Sequence, residues 1–148
     1  MPMYKFDSKL IHFCRKVSIP MARLGLFVVF FWFGLLKVLD LSPASNLVQE
    51  LFEKTIPIMS FHSFMIGFGI FECLIGILFI VKGFERLVIP LLFVHMITTC
   101  GPLILLPQET WSHVLVPTLE GQYIIKNLLI IAAAIGIAAH LHPLPKSK

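Results

Sequence analysis

SFHSFMIGFGIFECLIGILFIV, residues 60–81, is a run of twenty-two positions whose only carboxylate is Glu72. As a helix it would be about 33 Å long at the usual rise, enough to cross roughly 30 Å of hydrocarbon. Its length and apolar content make it a membrane-spanning helix. Working outward, residues 19–39, 87–106 and 123–141 form three more such runs. Composition agrees: of 148 residues 57% are hydrophobic and only 14% charged, and the mean hydropathy is +0.90. A soluble domain carries about 25% charged residues, so a soluble enzyme is excluded. The fold class is all-α: a polytopic membrane protein, a four-transmembrane-helix bundle with short interfacial helices, forming one membrane domain over residues 1–148.

The net charge of +4 comes from Lys and Arg scattered beside the apolar runs. No basic reading motif is present, so nucleic acid is not an expected partner. These cations act instead as topology signals. Lys5, Lys9, Arg15 and Lys16 precede the first span, Lys82 and Arg86 fall in the second connection, and Lys146 and Lys148 lie in the tail. The other side has Lys54, with Lys37 and Lys126 just inside helix ends. This imbalance predicts both termini on the cytoplasmic side. The N-terminal run is too long for a signal peptide and no small-residue cleavage site follows it, so it is expected to remain in the mature protein.

Two segments are expected to lie in the interface. Ser42 as N-cap and Pro43 at the first helical position start a helix whose face of Leu47, Val48, Leu51 and Phe52 opposes Gln49, Glu50, Glu53 and Lys54. Phe6, Leu10, Phe13 and Val17 repeat similarly beside Lys5, Lys9, His12 and Lys16, which suits an anionic leaflet. Residues 107–121 are expected to cap the bundle, with Trp111 at the interface and residues 114–116 dipping toward its mouth. Pro102 should kink the third helix, and pairs Ala132/Gly136 and Ala134/Ala138 offer small-residue packing on the fourth.

Polar groups within spans are costly and are functional candidates. Arg23, Phe27, Phe30, Gly34 and Lys37 share one face of the first helix; His62, Gly69, Glu72, Gly76 and Gly83 share a seam of the second. Counting from Lys82 and Arg86, Glu72 lies about 15 Å deep and His95 about 13 Å, so the two meet near the midplane. Arg23, about 6 Å deep, extends toward them along its seam. Lys37 and Lys126 lie near the opposite surface, where Glu120, Asp40 or an anion would balance them unless they face apart. Tyr123 and Asn127 adjoin Lys126. The candidate polar site is therefore Glu72, His95, Arg23, Lys37, Lys126 and Asn127.

Cys14, Cys73 and Cys100 have no C-x-x-C spacing, which argues against a dithiol centre. The six His form no metal-binding motif, so no metal is expected, and no phosphate-binding or nucleophile motif appears. The pattern of Arg23, Gly34 and Lys37, that of Glu72 and Gly76, and the segment Glu120, Gly121, Gln122, Tyr123 leading to Lys126 and Asn127 resemble DoxX-like membrane proteins. The resemblance covers roughly residues 23–139. It implies a small bacterial inner-membrane protein with a redox or quinone connection, some members being similar to subunits of thiosulfate:quinone oxidoreductases and others linked to thiol and oxidative-stress defence.

Three functions fit these residues. One is a subunit or accessory protein of a redox system, holding a quinone or small anion between the charged seams. Phe27, Phe30 and Phe68 would line its apolar part, with Glu72 and His95 exchanging protons. Another is a carrier using the same groups as a homo-oligomer. The last is a scaffold recruiting a membrane or redox partner subunit. No cofactor motif is evident, and quinone is the cofactor the reading admits; the lipid bilayer is the expected surrounding.

Overall fold

The computed structural model describes residues 2–56 and 58–143, with side chains from Phe6 onward. Lys146, Lys148 and the side chain of Lys5, counted above for orientation, lie outside the described residues. The chain is an all-α bundle containing four helices long and apolar enough to cross a membrane. These are α1 (Pro2–Val38), α3 (Phe61–Ile80), α4 (Glu85–Cys100) continued by the short α5 (Pro102–Leu105), and α7 (Leu119–Ala138). Helix α2 (Ser45–Thr55) links the first two spans. The connection to α7 holds a turn of helix, α6 (Pro107–Thr110), and a small antiparallel hairpin of β1 (Trp111–His113) and β2 (Val116–Pro117).

Helix α1 corrects the expectation of a separate N-terminal interfacial helix. It runs unbroken through Pro20, whose missing N–H removes one rung of the ladder. The helix ends where Asp40 turns into the left-handed region at φ 58°. There the Leu41 N–H donates to Leu36 O at 2.8 Å and the Asp40 N–H to Lys37 O at 3.3 Å, the paired bonds that close a Schellman motif.

The second interfacial helix forms, but later than expected. Ser42 and Pro43 belong to the preceding turn, where Ser45 Oγ donates to Ser42 O at 2.8 Å, and α2 begins at Ser45 without a side-chain cap. Its buried Phe52 packs against Phe64 at 4.8 Å between ring centroids. The third span breaks at Gly101, just before Pro102, where the missing proline donor was expected to disturb it. Helix α7 starts four residues earlier than the apolar run suggested, because Thr118 Oγ1 accepts the Gly121 N–H at 3.2 Å and caps it. Gly121 is required there: a Cβ would collide with Thr110 O.

The connection also differs from expectation at its tip. Hairpin pairing carries Val114 and Leu115 outward, 91% and 84% exposed, so residues 114–116 do not dip into the bundle. Trp111 anchors its base by donating from Nε1 to Leu103 O at 3.0 Å.

The core lies among all four spans and includes Phe30, Ile75, Phe79, Leu92, Met96 and Ala134. Helices α1 and α3 approach most closely. A Cβ on Gly34 would stand 2.6 Å from Gly69 O, one on Gly69 the same distance from Gly34 O, and one on Gly76 2.8 Å from the Phe31 nitrogen. These glycines let backbones touch, the way helices associate where solvent provides no hydrophobic drive. On α7 the Ala134/Ala138 pair faces the core, whereas Gly136 has open space around it and Ala132 is exposed.

Gly34→Ala and Gly69→Ala are each expected to force α1 and α3 apart and to cost about 1–3 kcal/mol or more. Gly67→Ala and Gly136→Ala, where a Cβ meets nothing within 4 Å, should leave thermal midpoints in detergent unchanged. Equal effects at all four positions would contradict the packing.

Candidate functional site

The close contact of α1 and α3 determines where Lys37 goes. Its Cβ lies against the position a Gly69 Cβ would take, 2.9 Å away, so the side chain runs along α3. The ammonium donates to Glu72 Oε2 at 2.6 Å. Helix α4 supplies His95, whose Nε2 stands 3.2 Å from the other carboxylate oxygen, Oε1. Lys37, Glu72 and His95 are 8%, 5% and 3% exposed. One carboxylate thus holds a cation and an imidazole from two other helices.

Aromatic rings enclose the cluster. Phe68 packs on His95 at 5.1 Å between centroids, with Phe30 at 5.4 Å and Phe71 at 5.9 Å. The Lys37 ammonium also lies 5.5 Å from the Phe68 centroid, a favourable cation–π placement. Thr98 and Thr99 do not face a ligand with free hydroxyls, since both donate to His95 O, at 2.7 and 3.2 Å. They brace the backbone that carries the imidazole.

A cavity of about 140 Å³ adjoins the cluster. Glu72, His95, Thr99 and Asn127 give it polar wall, and Val29, Phe30, Phe33, Met96 and Ile130 give it apolar wall. His95 Nδ1 is buried and has no hydrogen-bond partner. With the Nε2 proton directed at the carboxylate, Nδ1 of a neutral ring is an acceptor; in the charged ring it donates. An orphaned buried polar atom costs about 1–3 kcal/mol, so a hydrogen-bond partner for this ring nitrogen would be stabilising.

Of the six candidate residues, the structure brings together Glu72, His95, Lys37 and Asn127. Arg23 does not extend to them. It pairs with Glu85, which also accepts the Gly83 N–H at 2.8 Å, because this carboxylate lies at the same end of the bundle and is the nearer partner for a snorkelling guanidinium. Lys126 does not join Lys37 either: it is exposed and its ammonium sits 5.3 Å from the Tyr123 ring centroid. Lys37 turns inward and Lys126 outward, so neither Glu120 nor Asp40 is needed between them. Phe33, Phe71 and Met96 were not anticipated. Phe33 precedes Lys37 by one turn and Met96 adjoins His95, but among so many apolar residues that proximity is a weak signal.

Among the described residues no group of three metal-ligating side chains forms a metal site. Comparison with family models, curated proteins and solved structures yields no significant match, so geometry carries the functional reading.

Breaking a buried ion pair from one side costs roughly 3–5 kcal/mol, whereas replacing both partners is near neutral. Lys37 stands in the last turn of α1 and can snorkel out once released; Glu72, mid-helix, cannot. Lys37→Met should therefore lower the thermal midpoint more than Glu72→Gln, and the double variant should recover most of the loss. A double variant as unstable as Lys37→Met would show that the pair is not the cause.

Proposed function

We propose that this chain is a DoxX-like integral membrane subunit or accessory protein of a redox system, and that the cavity holds the head group of a quinone. The observation that carries the reading is the buried, unpartnered Nδ1 of His95, a residue that lines a cavity of about 140 Å³. Apolar cavities of about 150 Å³ accommodate a benzene ring, so the volume here is on the scale of one six-membered ring. A quinone would supply paired electron and proton transfer when bound. His95 offers a lone pair to a hydroxyl or, when charged, a proton to a carbonyl oxygen. Glu72, 3.2 Å from Nε2, orients the ring and stabilises its positive charge, the role a carboxylate plays behind a general base. Lys37 balances that carboxylate. Asn127 lines the cavity from α7.

A small anion fits less well, since the Lys37 charge is already matched by Glu72. The redox setting rests on the resemblance at Arg23, Gly34, Lys37, Glu72, Gly76 and residues 120–127. It carries with it a bacterial inner membrane and a redox partner subunit; cytoplasmic termini rest on the distribution of basic residues.

The test is binding of a short-tailed benzoquinol to the protein in lipid nanodiscs. Wild type should bind it, and His95→Phe, verified as folded by its melting transition, should lose roughly tenfold or more in affinity, about 1.4 kcal/mol. Phe27→Leu, on a ring that stacks with Phe31 away from the cavity, should bind normally. Unchanged affinity in folded His95→Phe, or no binding by wild type, would overturn the proposal.

A further inference from the structure

The routes into the cavity differ in what blocks them. Toward the α2 end, a column of rings joins α2 to the site: Phe52 to Phe64 at 4.8 Å, Phe64 to Phe68 at 5.5 Å, and Phe68 to His95 at 5.1 Å. Lys37 lies beside Phe68, its ammonium 5.5 Å from the ring centroid. Toward the chain termini, Leu26, Ile75, Phe79 and Leu92 are buried at 3% exposure or less and fill the bundle. Both ways along the bundle axis are therefore packed, the α2 end by rings and the Lys37–Glu72 pair and the other end by apolar side chains.

The side is different. The cavity wall reaches the surface between α1 and α7, where Phe33 is exposed and Val29, Asn127 and Ile130 are half-buried. Phe33 is five residues from the end of α1, about 7 Å along the axis, and Asn127 and Ile130 are about 12 and 16 Å from the start of α7. In a hydrocarbon layer of about 30 Å these positions face acyl chains. Tyr123 lies one turn before Asn127 on the same α7 face, and Lys126 reaches back to it, an aromatic and a cation of the kind that mark the membrane–water boundary. The opening lies below that boundary.

We infer that the cavity is loaded sideways from the bilayer, through a window between α1 and α7 edged by Val29, Phe33 and Ile130, and that its ligand is a lipid-soluble molecule whose polar head enters while an apolar tail stays in the window. This rests on the head-group reading above and adds the entry route and the tail. Water-soluble ligands are disfavoured because they would have to cross the aromatic column or the packed core.

The experiment uses the full chain in nanodiscs with a benzoquinone carrying a photoreactive diazirine on the first carbons of an alkyl tail. Illumination and peptide mapping should place the label on Val29, Phe33 or Ile130, and excess unlabelled tailed quinone should abolish it. Ile130→Trp, which fills the window from its rim, should lose that labelling, whereas Leu129→Trp on the exposed face of α7 should retain it. Competable label on Phe52 or Phe64 would overturn the window while leaving the head-group site standing. Binding of a tailless quinone without competable tail labelling would do the same. If neither quinone binds, both the window and the head-group reading fall.

Discussion

Gly34 and Gly69 each place a carbonyl oxygen 2.6 Å from where the other residue's Cβ would stand, and the rest of the site depends on that contact. With α1 and α3 this close, Lys37 cannot stand away from α3; its chain is laid along the neighbouring helix and delivers its charge to Glu72. Larger residues at either glycine would lengthen the distance that one lysine must bridge. The polar centre is thus a consequence of backbone packing, and the helix pair is in turn held by the charge it encloses. Without a hydrophobic drive between helices, small residues and buried polar contacts are the means of association that remain.

The Glu72 carboxylate joins three helices because its two oxygens have different partners. Oε2 takes the Lys37 ammonium and Oε1 faces His95. Low dielectric strengthens these attractions but also makes any missing partner expensive. His95 Nδ1 is the group at which that accounting stays open, and it belongs to a residue on the cavity wall. Arg23, whose Nε is likewise buried without a partner, is held to Glu85 and belongs to the helix connection near the termini instead.

Much of this was legible in the amino-acid sequence because hydrocarbon restricts the choices. Span number followed from apolar length, and the meeting of Glu72 with His95 followed from counting depth along antiparallel helices. The partner of Lys37 was not legible by depth. Its Cα is one turn nearer the surface than Glu72, and only the length of its side chain, directed by Gly69, closes the gap. The seams did carry the information, since charge-and-glycine faces on α1 and α3 are those that pack together. Local chemistry also moved boundaries: Thr118 caps α7 before its apolar run begins, and Ser42 supports a turn instead of capping α2. The outward tip at Val114 and Leu115 depends on hairpin pairing, for which hydropathy holds no signal.

The central claim is that α1 and α3 enclose a direct Lys37–Glu72 ion pair inside the bundle. Solid-state NMR of the protein in lipid bilayers, with nitrogen-15 at Lys37 Nζ and carbon-13 at the Glu72 carboxyl, reads that separation through their dipolar coupling. Strong coupling is expected, matching an N–O contact of 2.6 Å, and it should vanish in Gly69→Leu, where the helices are forced apart. No measurable coupling in the wild-type protein would contradict the account.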